Sequence, residues 1–293
     1  MRKVKTFART FWRSLTEPAY YQDILSAKFS FSLKYLFTLL LIISSILAID
    51  VSVRVAKLIP QVPAFLQTGK AFLIETYPQE LKLTLKNKKI TTNVKEPYFI
   101  NLADDKKGAI APLKHLLVID TKGQVENFKN LESLFLLTGE SLVVPGGDGE
   151  SYKVVSLTET FAKIPDGFSL TKTGLETVLN QTSPYLLKVA PKVLIVISIA
   201  IVIIYAPLSA GFSFLIRLIL LLPISLILFL GAKIAKRKIT FNKTYQLSLQ
   251  GMTIPVVLSF AFGFSGFYGY AVILSWLAFF VFMTIVLKKL DTT

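Results

Sequence analysis

The chain has 293 residues, a formal charge of +15, one histidine and no cysteine. Without cysteine there are no disulfides, thiolate nucleophiles or Cys-based zinc sites, and His115 alone cannot form the paired-histidine motif of a metalloprotease. Apolar residues make up 53% of the chain and mean hydropathy is +0.57, values that belong to membrane proteins and not to soluble nucleic-acid binders. The charge is uneven. Lys57 to Lys188 carries 16 basic and 14 acidic residues, whereas the rest of the chain carries 17 and four. The excess therefore sits beside the apolar runs, where each Lys or Arg near an anionic lipid surface contributes roughly 1 kcal/mol.

Residues 1–30 read as a cytoplasmic interfacial segment. In "MRKVKTFARTFWRSLTEP", Val4, Phe7, Phe11 and Leu15 recur at helical spacing, Lys5, Arg9 and Arg13 recur on another face, and Pro18 stops the helix. The pattern predicts a helix in the headgroup plane, with Phe7, Phe11 and Trp12 in lipid and the three cations on anionic headgroups. Packing of the same apolar face on other helices is the alternative. Residues 31–56 are predicted as the first transmembrane helix, uncharged from Tyr35 to Ile49.

Residues 57–186 contain no span and are too long for a loop. "LKLTLK" and "KITTNV" alternate on either side of "NK", a hairpin signal. "EPYFINL", "HLLVIDT", "SLFLLTGESLVV" and "SYKVVSL" read as further strands, and the stretches 60–76 and 170–181 as helices. Four more spans are predicted at 187–207, 212–232, 247–264 and 268–287. "AP" and "AG" mark a tight hairpin between the first two of these, and Pro255 lies inside the third. "FAFGFSGFYGYA" (260–271) reads as the turn before the last span. The fold class expected is an α-helical five-span membrane bundle with an inserted α+β, mainly β-sheet, extracytoplasmic domain.

"LTEPAYYQDI", "YPQELKLTLKNKKITTNVKEPYFI" and "LLVIDTKGQ" resemble the bacterial membrane family known as domain of unknown function 1189. Some of its members carry a maltodextrin-utilisation description of the MalA type, and its helix arrangement is similar to that of Yip1-like membrane proteins. The resemblance implies a cytoplasmic start, a soluble domain after the first span and a four-span remainder. It implies no catalytic residues.

The positive-inside rule leaves orientation tied under five spans. Seven basic residues (Arg2, Lys3, Lys5, Arg9, Arg13, Lys28, Lys34) precede or open the first span. Seven more (Lys233, Lys236, Arg237, Lys238, Lys243, Lys288, Lys289) fall on the opposite side. The first helix usually dominates, so the N-terminus is expected inside and 57–186 outside.

Chemistry is sparse. Arg217 within a span is read as snorkelling, and Asp50 with Arg54, at i and i+4, as an interfacial pair. Asp104, Asp105, Asp120, Asp148 and Glu150 match no calcium loop, and "VVPGGDGESY" lacks the lysine and hydroxyl of a phosphate loop. No catalytic, cofactor or metal residues are assigned. The expected function is non-enzymatic: an envelope membrane protein, multi-pass, whose external domain binds a partner or ligand as sensor, adaptor or organiser, with a membrane or envelope protein as the expected partner. Tyr77, Pro78, Asn93, Glu96, Pro97 and Tyr98 lie in the stretch expected to offer that surface or a sheet edge. The rival readings are a transporter or its accessory subunit, linked to maltodextrin only through the family description, and a membrane enzyme built on Asp50.

Overall fold

A computed structural model of the chain describes residues 2–102, 113–146, 151–161, 164–263 and 268–290. In chain order the elements are α1 (Arg2–Thr16), α2 (Tyr20–Ser26), α3 (Phe29–Ala56), a 3-10 turn, α4 (Val62–Thr76), β1 (Leu83–Lys86), β2 (Lys89–Thr92), β3 (Tyr98–Asn101) and β4 (His115–Ile119). There follow a 3-10 helix (Val125–Asn130), β5 (Ser133–Leu137), β6 (Ser141–Pro145), β7 (Tyr152–Ser156), α5 (Leu157–Thr160) and β8 (Ser169–Leu170). The chain ends with α6 (Lys172–Ala200), a π-helical turn (Ile201–Tyr205), α7 (Ala206–Ile234), α8 (Phe241–Gly251), α9 (Thr253–Gly263) and α10 (Tyr268–Lys289). Two compact units result: Met1–Leu58 with Val193–Thr293, and Ile59–Lys192.

The first unit is helical. Among the described residues four helices are long and apolar enough to cross a membrane, by length and composition: Phe29–Thr76 and Lys172–Ile234, which each run on into the second unit, and Phe241–Gly263 and Val272–Lys289. The tight hairpin expected near 207–211 is absent, and the two spans drawn at 187–207 and 212–232 are one helix. The reason is local. Pro207 has no N–H for the Ile203 carbonyl, which would ordinarily end the helix. The backbone instead widens to a π turn, in which the Ala206 N–H reaches back five residues to the Ile201 carbonyl, and the helix continues. Within this unit α3 runs along α7 and the end of α6, with Phe37 edge-on to Phe214 of α7 and the Ser52 hydroxyl donating to the Ser198 carbonyl of α6 at 2.9 Å.

The span expected over 247–264 begins six residues earlier and is broken at Met252 into α8 and α9. Pro255 explains the break, because its ring would collide with the carbonyl of Gly251, four residues back. The middle of "FAFGFSGFYGYA", 264–267, where the turn before the last span is expected, lies outside the described residues. The core of the unit is Leu36, Leu221, Leu247, Leu249, Phe279 and Met283. Gly251 sits where α8 meets α10, and a Cβ there would stand 2.6 Å from Met283 Sδ and 3.2 Å from Phe279 Cε2.

The second unit carries two sheets. One has strand order β2-β1-β8, the other β3-β4-β5-β6-β7, antiparallel except for the parallel pair β4 and β5. That parallel step needs a crossover, and the Val125–Asn130 3-10 helix supplies it. Strand alternation puts Ile119 and Leu137 against Leu81, Leu85, Ile90 and Ile100, while Val118, Leu136 and Val143 pack under Phe128. The β1–β2 hairpin turns at Asn87 and Lys88, both at positive φ as a two-residue hairpin turn requires. Their backbone N–H groups donate to the Asp166 carboxylate at 3.1 and 3.3 Å.

The conspicuous phrases of the sequence are fastenings of this unit. The Tyr77 hydroxyl donates to the Leu170 carbonyl at 2.8 Å. Asn93 accepts from the Lys82 N–H at 2.6 Å and donates to the Glu80 carbonyl at 2.8 Å. Glu96 accepts from the Thr121 N–H and hydroxyl, both at 2.7 Å. Tyr98 donates its hydroxyl to Glu80 Oε1 at 2.5 Å. That bond holds the Glu80 carboxyl below its usual range and pushes the Tyr98 phenol up to about 12.

Two predictions follow from these contacts. Gly251→Val should destabilise the detergent-solubilised protein by about 1–3 kcal/mol, as overpacking does; Gly231→Ala, where a Cβ meets nothing within 4 Å, should be neutral or slightly stabilising in the same thermal-unfolding assay. The Glu80–Tyr98 coupling, read by a double-mutant cycle with Glu80→Gln and Tyr98→Phe, should be full between the ordinary carboxylate pKa and the ordinary tyrosine pKa. It should fade as pH falls through the depressed Glu80 value, and again as pH rises from about 10 toward the raised Tyr98 value of about 12.

Candidate functional site

Three places draw together the residues that sequence reasoning singled out. The first is α8. Its sequence, "FNKTYQLSLQG", is polar, yet Thr244, Gln246, Ser248 and Gln250 are all buried. Such groups require hydrogen-bonding partners: Thr244 and Ser248 donate to the carbonyls of Thr240 and Thr244, and the N-terminal segment meets the amide N–H groups of the two glutamines. Gln246 Nε2 donates to the carbonyls of Ile24 and Ala27, each at 2.9 Å. Gln250 Nε2 donates to Ser14 Oγ at 2.6 Å, and Tyr35 shares a 2.9 Å bond with Thr253 Oγ1. Lys243 Nζ bonds the Leu25 carbonyl. This polar seam holds α1 and α2 against the bundle. Sequence reasoning missed it. The glutamines of "YQLSLQ" inside an apolar region were the available signal.

The seam decides the roles of the amphipathic helix. Phe7 and Phe11, stacked 6.4 Å apart, pack on the helical core, and Phe7 lies 5.5 Å from the Tyr35 ring. These two faces thus follow the packing alternative. Arg13 is tied inward, with Nε 2.8 Å from Glu17 Oε2, Nη1 3.2 Å from Asp23 Oδ2, and its guanidinium 4.2 Å above the Tyr20 ring. Lys5 and Arg9 stay exposed, and Trp12 is 64% exposed beside them. Those three remain open to a lipid surface.

The second place is the end of the helical unit where the link 235–240 lies. Arg237 donates from Nη1 to the Leu290 carbonyl at 3.1 Å and from Nη2 to the Lys288 carbonyl at 3.0 Å, so it caps the C-terminus of α10. With Lys243 bonded to Leu25, just ahead of α3, and Arg237 bonded to the last turn of α10, the start of α3, the basic link and the end of α10 with Lys288 and Lys289 meet at one end. The expectation that they face opposite sides rested on the hairpin that the unbroken helix removes.

The third place is the β-rich unit. His115 Nδ1 lies 2.8 Å from Asn101 Oδ1, and its ring is 4.8 Å from Phe99, a cross-strand packing role. Asp104, Asp105, Asp148 and Glu150 lie outside the described residues; among those described, no group of three or more His, Asp or Glu residues gathers as a metal site. Pro78 is half-buried and Pro97 exposed beside the fastenings above. β7 is an edge strand, paired with β6 alone among the described residues, and Val154 and Val155 on it are 48% and 42% exposed. In the helical unit, the Asp50–Arg54 pair forms as expected, Oδ2 to Nε 2.9 Å, and Arg217 is half-buried with Nη1 3.3 Å from the Ser213 carbonyl.

Gln246→Ala removes the hydrogen bonds to the Ile24 and Ala27 carbonyls, an expected loss of about 1–3 kcal/mol. Limited proteolysis of the detergent-solubilised variant should cut within residues 2–27 faster than in the wild type, while the β-rich unit resists as before.

No curated protein and no solved structure matches the chain significantly. One family model does, over residues 8–288, taking in the N-terminal helices, the β-rich unit and the helices that follow it. By that match, the chain belongs to the family described as Protein of unknown function (DUF1189).

Proposed function

We propose that this is a non-enzymatic, multi-pass protein of the cell envelope membrane, with its N-terminus and basic end in the cytoplasm and its β-rich unit outside, where that unit binds a protein partner. The observation that carries the reading is the meeting of three basic segments at one end of the helical unit. With all of them on one face of a four-crossing bundle, the positive-inside rule has no tie to break. α3 starts near that end, where Phe29 stacks on Tyr245, and the chain leaves the unit after Leu58 and re-enters it at Val193. The inserted 59–192 segment carries nearly balanced charge, and a domain of that length translocates largely regardless of its charge.

Partner binding is assigned to β7, not to the 77–102 stretch, whose polar groups are engaged within the unit. An exposed edge strand with apolar side chains is a template for an added strand. Val154 and Val155 would sit against that strand.

Single cysteines at Lys3, Lys88 and Lys236, probed in intact cells with a membrane-impermeant maleimide, test the topology. Lys88Cys should label, and Lys3Cys and Lys236Cys should label only after the membrane is opened. Labelling at Lys236 in intact cells would restore a five-span arrangement, and protection at Lys88 would place the β-rich unit inside. A photo-crosslinking residue in place of Lys153 should then give a protein adduct that Val154→Lys with Val155→Lys abolishes; adducts that persist unchanged would remove β7 as the binding edge.

A further inference from the structure

Two cavities adjoin at the basic end of the helical unit. The smaller, of about 190 Å³, is lined by Arg237, Lys238, Thr240 and Lys243 with Leu25, Ile239, Leu287 and Leu290. The larger, a groove of about 700 Å³ between α7 and α10, runs past Ile227, Gly231, Ala235, Phe280 and Leu287, with Lys288 at its rim. Arg237 and Leu287 belong to both, so cationic pocket and apolar groove are one continuous surface. Among the described residues, no acidic side chain lines either.

The cations are held in place. Arg237 is fixed by its two bonds to α10 carbonyls, and Lys243 by its bonds to the Leu25 carbonyl and, at 3.3 Å, to Gln246 Oε1. Lys238 is exposed at the pocket mouth. Guanidinium and ammonium groups preset around one small pocket fit a phosphate ester. A groove floored by Gly231 and Ala235 and walled by Phe280 and Ile227 fits an alkyl chain. Free phosphate would use only the first half of this surface, and a neutral lipid only the second. Basic pockets between membrane helices on the cytoplasmic side take anionic headgroups in general.

We propose that the paired cavities form a site for one anionic phospholipid, with its phosphate among Arg237, Lys238 and Lys243 and an acyl chain in the groove along Gly231. The site rests on the membrane reading above, and it lies apart from the exposed Lys5, Arg9 and Trp12 of α1, which offer a surface and not a cavity.

The test uses full-length protein released from mixed micelles of phosphatidylglycerol and phosphatidylcholine in equal amounts and examined by native mass spectrometry. The expected result is one phosphatidylglycerol retained per chain in preference to phosphatidylcholine. Lys238→Gln should weaken that retention about fivefold. Gly231→Leu, at a position where a Cβ meets nothing within 4 Å, should fill the groove and abolish retention while leaving thermal unfolding of the lipid-free protein unchanged. Glycerol phosphate, which has no chain, should not compete. Equal retention of the two lipids, indifference to both variants, or full competition by glycerol phosphate would each overturn the site. Fractionation of the same variants keeps the outcomes apart: wild-type protein missing from the membrane fraction would sink the membrane reading itself, whereas protein present there with no lipid preference would sink the site alone.

Discussion

The arrangement of the helical unit depends on the amides of two glutamines. Gln246 and Gln250 stand on a helix surrounded by apolar neighbours, and a primary amide left unpaired in such a place costs several kcal/mol. Their N–H groups are met by the carbonyls of Ile24 and Ala27 and by Ser14 Oγ. A helix bonded in this way cannot slide or turn to face lipid without breaking every contact together. That constraint fixes where α1 and α2 sit. It also turns two phenylalanines of an amphipathic helix inward, leaving tryptophan and two cations outward.

A second constraint is the continuity of the helix from Lys172 to Ile234. Its 63 residues amount to about 95 Å, some three times the hydrocarbon thickness of a bilayer. Had the chain turned at Pro207, the basic link at 233–243 would have fallen on the far side from the N-terminus. The π turn absorbs the missing donor instead, so one bond, from Ala206 N–H to the Ile201 carbonyl, bears on the charge arrangement of the whole unit.

Local structure was legible in the sequence wherever a local rule governed it. The β1–β2 hairpin, strands β3 to β7 and the helices flanking them follow from alternation and from turn residues such as Asn87-Lys88. The Asp50–Arg54 pair follows from i,i+4 spacing. The misread parts depended on how the backbone solves a local defect or on distant partners. "AP" is an ordinary stop signal, and nothing local distinguishes a stop from a π turn. The two-sheet layout and the short β8 rest on pairings such as Leu83 with Leu170, far apart in the chain. The polar seam was hidden because the partners of Gln246 and Gln250 lie more than two hundred residues upstream. Tyr77, Asn93, Glu96 and Tyr98 stand out in the sequence, and their hydrogen bonds go to Leu170, Lys82, Glu80 and Thr121 within the unit.

The sequence distance across the polar seam bears on biosynthesis. Gln246 and Gln250 bond residues 219 to 236 positions earlier in the chain. The first helices to leave the ribosome are therefore among the last to be completed, and closing so long a loop is slow compared with pairing neighbouring helices. Until residue 250 has emerged, Ser14 and the carbonyls at 24 and 27 lack the two glutamine amides they pair with in the folded unit, and the apolar face of α1 lacks the core it packs on.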